Sequence, residues 1–419
     1  MSWAPVAFLY FAVFCMAVSA VSSLSVRRPL PVLIVPIFIF GLLTSELTWF
    51  FFTLQLLVSC VFLALGALDT TVGGVALALL LINWLAMWRL QRQAHSADTI
   101  LADALHSGLG ERFKESIPEQ RLPQLRTAIS AADWLRPLAM TRAGVERLEN
   151  ISYGDAGERN LLDIYRPLAA REGGFPVLLQ IHGGAWYMGH KQQQAMPLLH
   201  HLAQRGWLCV SINYRLSPAH TFPAHIIDVK KAIHWIKEHI AEYGGQPGFL
   251  ALTGGSAGGH LTALAALSAN DPAYQPGFED ADTSVDVAVP LYGVYDFTDR
   301  DGENLNRAIR DVLAEKIMPS SFQEDGELWH RASPMTRVHA QAPPFFVVHG
   351  ANDVMTSPLL ARSFCRELKK YSQAPVAYAE LPGCQHAFDG MHSIRTEYLL
   401  NHITDFLEWS HSNYQGAGL

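Results

Sequence analysis

The stretch Leu252 to His260, LTGGSAGGH, sets one serine among four glycines, between an apolar run and a helical one. Glycines gather where the backbone must take a positive φ or pass close to another group. A phosphate-binding loop would use the separation of Gly254 and Gly259 but requires a lysine next, where His260 stands. No register supplies the three glycines of a dinucleotide loop. The pattern that fits is G-x-S-x-G over Gly254 to Gly258, which holds Ser256 on a tight strand-to-helix turn with its hydroxyl projecting. A serine hydroxyl needs a histidine to take its proton and a carboxylate to orient that histidine. Asp353 in HGANDVMTSP and His386 in LPGCQHAFDG each follow an apolar run, and they come after Ser256 in the order Ser, Asp, His. Donors for a developing oxyanion are offered by Gly183 and Gly184 of HGGAW together with the amide of Ala257. Asp353 also reads as a helix N-cap, and Asp296 in YGVYDF is a rival carboxylate one strand earlier. His182 is expected to brace the oxyanion loop and Asp228 to pin the NYR loop.

With these residues in view, the segment from about Glu146 to Ser410 resembles an α/β-hydrolase of the carboxylesterase and lipase type related to hormone-sensitive lipase. The motifs that carry the likeness are HGGAW, NYRLSPAHTFPAHIIDV, GGSAGGH, HGANDV and QHAF. The resemblance implies a triad of Ser256, Asp353 and His386, an oxyanion hole of Gly183, Gly184 and Ala257, and no cofactor. One departure is Ala185, where many relatives carry a third glycine; HGG-x-W also occurs in kynurenine formamidases and isoprenylcysteine methylesterases. Ester hydrolysis through an acyl-enzyme on Ser256 is therefore the leading expectation. The alternatives are an amide hydrolase of the arylformamidase type, an isoprenylcysteine methylesterase-like enzyme, and a catalytically silent binding module on the same fold.

The elements that must position these groups alternate between apolar strands and amphipathic helices, which predicts an α/β fold with a mostly parallel sheet. GVERLENISYG and NLLDIYRP read as an opening hairpin, followed by strands at PVLLQIHG, WLCVSINYR, FLALTG, VDVAVPLYG, PFFVVHG and VAYAELPG. A charged insertion runs from about Asp296 to His339. Ligands of such sheets bind beyond the carboxyl ends of the strands, where Ser256, Asp353 and His386 all fall.

The catalytic segment is expected over residues 143–413, with a tail at 414–419, a helical linker at 91–142 and a transmembrane helical anchor at 1–90. The first ninety residues are nearly free of charge and carry four apolar runs, read as four spans, with three spans or a re-entrant hairpin as alternatives. This predicts a multi-pass membrane protein with a lipid bilayer as its surroundings, while the resemblance implies a small-molecule or lipid ester as substrate. Arg27 and Arg28 follow the first run and Arg89 and Arg92 the fourth, so the side of the catalytic segment stays open. The net charge of -7 and the absence of basic blocks argue against nucleic acid. The five cysteines lack C-x-x-C spacing and the eighteen histidines lack H-E-x-x-H, so neither a disulfide framework nor a metal site is expected.

Overall fold

Apolar runs too short and too β-branched for helices become the eight strands of one sheet in the computed structural model, which describes residues 3–23, 30–125, 128–300, 302 and 305–417. The strands are β1 (Val145–Ser152), β2 (Leu161–Pro167), β3 (Phe175–Ile181), β4 (Leu208–Ile212), β5 (Gly245–Gly255), β6 (Val287–Leu291), β7 (Phe345–Gly350) and β8 (Val376–Leu381). Their spatial order is β1-β2-β4-β3-β5-β6-β7-β8. β2 pairs antiparallel with both β1 and β4, and every later pairing is parallel. Central strands covered on both faces read as unbroken apolar runs, and β3, β4, β6 and β7 are buried along their whole length.

The period of two along each strand sorts side chains to the two faces. Val177, Leu179 and Ile181 join one core with Leu250 and Leu252, while Leu178, Phe249 and Ala251 join the other. The first core is closed by α8 (Ala224–His239), α9 (Ala257–Leu267) and α12 (Pro358–Tyr371). The second is closed by α5 (Ala97–Leu109), α7 (Met196–Gln204) and α13 (Ile394–Ala417). Shorter helices are α6 (Ala131–Trp134) and, within the charged insertion, α10 (Arg307–Val312) and α11 (Gly326–Ala332).

The remaining helices are α1 (Ala4–Ser23), α2 (Pro31–Glu46), α3 (Thr48–Ala64) and α4 (Thr71–His95). Four straight spans are not what the sequence forms. Among the described residues two helices, α1 and α4, are long and apolar enough to cross a bilayer, and α2 and α3 form a pair bent by 88°, giving at most three. At 1.5 Å per residue α2 and α3 are each only about 25 Å long, short of a hydrocarbon core of about 30 Å. Arg27 and Arg28 lie outside the described residues.

Two further observations concern the segments expected as linker and tail. The expected helical linker packs on the sheet: Leu101 and Leu105 of α5 are buried in the second core, and Gly108 packs against Ala377 so closely that a Cβ there would meet its Cα at 2.9 Å. The expected tail is in part helix, since α13 runs on to Ala417 and Tyr414 packs its ring on Phe249, centroids 5.4 Å apart.

Candidate active site

Ser256 occupies the turn between β5 and α9 with φ 60° and ψ −122°, a left-side backbone that a non-glycine residue adopts only when its surroundings enforce it. The neighbouring glycines are what enforce it. A Cβ on Gly258 would lie 2.0 Å from the Ile181 carbonyl oxygen, and one on Gly255 would lie 2.4 Å from the Tyr292 hydroxyl. Strand, turn and helix are thus pressed together, with the Ser256 N–H donating to the Leu291 carbonyl at 3.0 Å. The half-buried Ser256 is left at the carboxyl edge of the sheet.

Asp353 and His386 come to the same edge from the loops after β7 and β8, and His386 Nδ1 lies 2.7 Å from Asp353 Oδ2. The other carboxylate oxygen accepts the backbone N–H groups of Met355 and Thr356, both at 2.8 Å. The Thr356 hydroxyl donates to Oδ2 at 2.9 Å, and His349 Nε2 stands 3.3 Å away. Burial alone would raise the Asp353 pKa, but the charge interaction with His386 and the hydrogen bonds from His349 and His386 hold it well below the ordinary carboxylate range. The carboxylate therefore stays ionised, and an acceptor facing Nδ1 fixes the proton there and leaves Nε2 as the basic nitrogen.

The rival carboxylate is otherwise engaged. Asp296 accepts from the backbone N–H of Thr298 at 2.9 Å, its hydroxyl at 2.6 Å and the N–H of Arg300 at 3.1 Å, so it caps its own loop. Asp228 binds Arg215 through the backbone N–H at 2.8 Å and the guanidinium at 2.8 to 3.0 Å, pinning the loop after β4 as expected. His182 stacks on Tyr214 with centroids 4.3 Å apart, and the Tyr214 hydroxyl donates to the His182 carbonyl at 2.9 Å. This braces the glycine loop from beneath.

Gly183 lies against Ser256, where a Cβ would come 3.0 Å from the serine Cβ, and Gly184 takes φ 113° at the start of a turn. Ala257 opens α9, where the first N–H groups have no intrahelical acceptor. The Gly183 N–H is already held: it donates to Gln194 Oε1 at 2.6 Å.

Known proteins share this arrangement's scaffold. The BD-FAE family profile matches residues 162–368. The probable carboxylic ester hydrolase LipM of Mycobacterium tuberculosis is 44% identical over 364 residues, covering 82% of this chain and 81% of LipM. Esterase LipQ of the same organism is 44% identical over 333 residues, covering 79% of this chain and 78% of LipQ. A truncated carbohydrate esterase from gut microbiota aligns with a TM-score of 0.56 at 24% identity, over 66% of this chain and 99% of that one, a likeness of fold. The chain belongs to the α/β-hydrolase esterases. It is a carboxylesterase-type hydrolase.

Several groups around the esterase's site carry no sequence signal strong enough to single them out. Gln194 reaches Gly183 from an irregular segment ahead of α7, where no periodicity points to it. Tyr292 follows β6 directly and sets its ring 4.7 Å from the His386 ring, while its hydroxyl bonds to Asp389. Thr356 stands three residues after Asp353, a spacing that suits side-chain to backbone turns and was the one available hint. Phe38 of α2 lies edge-on to His386 at 6.0 Å, a contact made only by the tertiary fold.

Proposed function

We propose that this esterase cleaves carboxylic esters through an acyl-enzyme on Ser256, with His386 as base, Asp353 as its orienting carboxylate, and Gly183, Gly184 and Ala257 as oxyanion donors, while its N-terminal helices hold it in a membrane. The observation that carries the reading is the buried Asp353–His386 pair at the sheet edge that also bears the positive-φ Ser256 turn.

In the first half-reaction the free Nε2 of His386 takes the Ser256 hydroxyl proton as Oγ attacks the ester carbonyl carbon. Negative charge develops on the carbonyl oxygen, and backbone N–H groups at the glycine loop and the start of α9 stabilise it. An amide oxygen, that of Gln194, sits at the Gly183 N–H, and the substrate oxygen would take its place. The imidazolium, stabilised by the ionised Asp353, then gives its proton to the leaving alcohol. Water attacks the acyl-enzyme with His386 again as base, and the acid departs.

The membrane reading is supported by helices turned inside out. On α3 the buried residues are Thr48, Gln55 and Ser59, whereas Leu54, Leu56, Leu57 and Val61 are exposed. Gln55 Oε1 accepts from Asn83 Nδ2 at 2.8 Å and from Trp84 Nε1 at 3.1 Å, joining α3 to α4 by polar bonds. α4 in turn buries Gly73 and Ala76 and exposes Val75, Leu81, Ile82 and Leu85. Polar and small residues inward with apolar ones outward suit a lipid solvent and not water. In this reading α1 and α4 cross the bilayer, the shorter α3 dips into it beside α4, and α2 lies along its surface.

The test is labelling with a fluorophosphonate. Full-length protein should be labelled at Ser256 and lose ester turnover in step, and Ser256→Ala should abolish both, a loss of about 10⁴-fold or more. A folded Ser256→Ala protein that still turns over ester would sink the serine mechanism.

A further inference from the structure

Helix α2 has two apolar faces with different neighbours. Its inward stripe buries Ile34 and Ile37 against Val354, with Phe38 and Met355 packed on the same cluster. Val354 and Met355 directly follow Asp353, and Phe38 meets the ring of His386. Its outward side exposes Val32, Leu33, Val35, Ile39 and Phe40, all apolar. A helix apolar all round is buried in protein or set in lipid. Here one side touches the catalytic pair and the other is open, so a single helix about 10 Å across separates His386 from the apolar surroundings.

The helix is fixed in that place. At its C-terminal end Glu46 pairs with Arg395 and accepts from the Ser393 hydroxyl at 2.7 Å, both partners lying at the start of α13. In its middle Gly41 lies against Gln385, the residue before His386, where a Cβ would come 2.9 Å from the glutamine Cγ. The chain then bends by 88° into α3. The N-terminal half is held less firmly, because Pro36 lacks the N–H that would bond the Val32 carbonyl.

The histidine's role decides which part of a substrate meets this wall. His386 must deliver a proton to the leaving oxygen, so the alcohol moiety lies on the histidine side of the tetrahedral centre and the acyl moiety does not have to. We infer that α2 forms the binding wall for the alcohol moiety of the ester, that this moiety is a long apolar chain, and that it enters from the bilayer past Ile34, Ile37 and Phe38. The inference rests on the serine mechanism and membrane setting proposed above and adds the substrate class. A hydrophilic alcohol would gain nothing from Phe38, whereas an alkyl chain replaces contacts the wall already makes with Val354 and Met355.

The experiment uses full-length protein in phosphatidylcholine nanodiscs, active sites being counted with a fluorophosphonate. Two substrate pairs are compared: dodecyl acetate against ethyl acetate for the alcohol side, and ethyl dodecanoate against ethyl acetate for the acyl side. Phe38→Ala should lower the kcat/KM ratio of the alcohol pair by about tenfold and leave the acyl ratio within about threefold. Ile37→Ser should do the same, and guards against a Phe38→Ala protein that fails to fold. Phe40→Ala, on the outward face, should move neither ratio. An acyl ratio that falls as far as the alcohol ratio, or an alcohol ratio indifferent to both inward variants, overturns the assignment. Failure of the fluorophosphonate to label Ser256 would instead overturn the serine mechanism and leave the wall without a reaction to serve.

Discussion

Phe38 meets the His386 imidazole edge to face, ring centroids 6.0 Å apart and planes at 73°, so the apolar N-terminal region contributes directly to the surroundings of the proposed base. A chain beginning at Gln93 would lack α2 and expose the Val354 and Met355 flank of Asp353 to water. The composition change near Arg89 suggests an anchor separable from the chemistry, and this contact argues against it. The shortened chain is expected to lose about tenfold or more in kcat/KM on ethyl acetate per fluorophosphonate-reactive site, because the base loses its packing and its orientation loosens. Comparison with full-length protein in detergent checks this; equal rates would show that α2 only tethers.

The two candidate carboxylates should separate cleanly. Asp353→Asn keeps the shape but loses the charge opposite His386 and offers Nδ1 the wrong tautomer, so kcat should fall by about 10⁴-fold. Asp296→Asn loosens the Thr298 and Arg300 loop and should show itself in thermal stability while kcat stays within about threefold. Steady-state kinetics of both proteins, each matched by a melting curve, provide the measurement, and the reverse ranking would reassign the acid.

Much of the candidate site was legible because the residues proposed for it lie in local sequence motifs. Ser256 with its glycines, Asp353 after β7 and His386 after β8 are each announced by a motif at a strand end, and the strand and helix periods gave the α/β scaffold. What stayed hidden depends on contacts between distant segments. The bend at Leu47 cannot be read from residues that are apolar on both sides of it, so α2 and α3 look like two more spans. The helical linker carries apolar residues on only one side of α5, and nothing local says that side lies on β8. Gln194 is an ordinary polar residue until the fold brings it to Gly183.

Acid should destabilise the esterase through histidines buried near the site. Burial pushes the imidazoles of His182 and His260 down to about 4 and that of His225 to about 3. Geometry agrees at His260, whose Nδ1 accepts from Trp186 Nε1–H at 3.1 Å while Nε2 faces the Ala332 carbonyl at 2.7 Å, leaving no place for a second proton. These folded-state values lie below the unfolded one of about 6.5, so on acidification the unfolded chain takes up protons first. The contribution of these histidines is constant above that pH, falls as pH drops from about 6.5 towards 4, and for His225 towards 3, and levels off below, with a slope of about 1.4 kcal/mol per pH unit for each histidine. Denaturant midpoints measured across this range should show the decline, and His260→Gln, which can keep both bonds, should make it shallower. A flat profile would mean that these imidazoles are not held neutral.

The ion pair that joins α2 to α13 makes the last test. Glu46 and Arg395 are both fully buried, and besides each other they are served by Ser393, by Ser45 at 2.9 Å and by the Pro382 carbonyl at 3.2 Å. Removing one charge leaves the other buried without its counter-ion, which costs about 3–5 kcal/mol. Removing both leaves no such charge, and apolar side chains of similar volume often restore or exceed the original stability. Glu46→Leu alone should therefore lower the melting temperature of the detergent-solubilised protein markedly, and Arg395→Met alone likewise. Glu46→Leu combined with Arg395→Met should recover most of the loss, with a coupling between the two sites well above the additivity error of about 0.5 kcal/mol. Because this pair fixes the C-terminal end of the helix that carries Phe38, both single variants should also lower turnover of ethyl acetate, and the double variant should regain it. Additive losses in the double variant would show that the two residues do not act as a pair and that α2 is positioned by its apolar contacts alone.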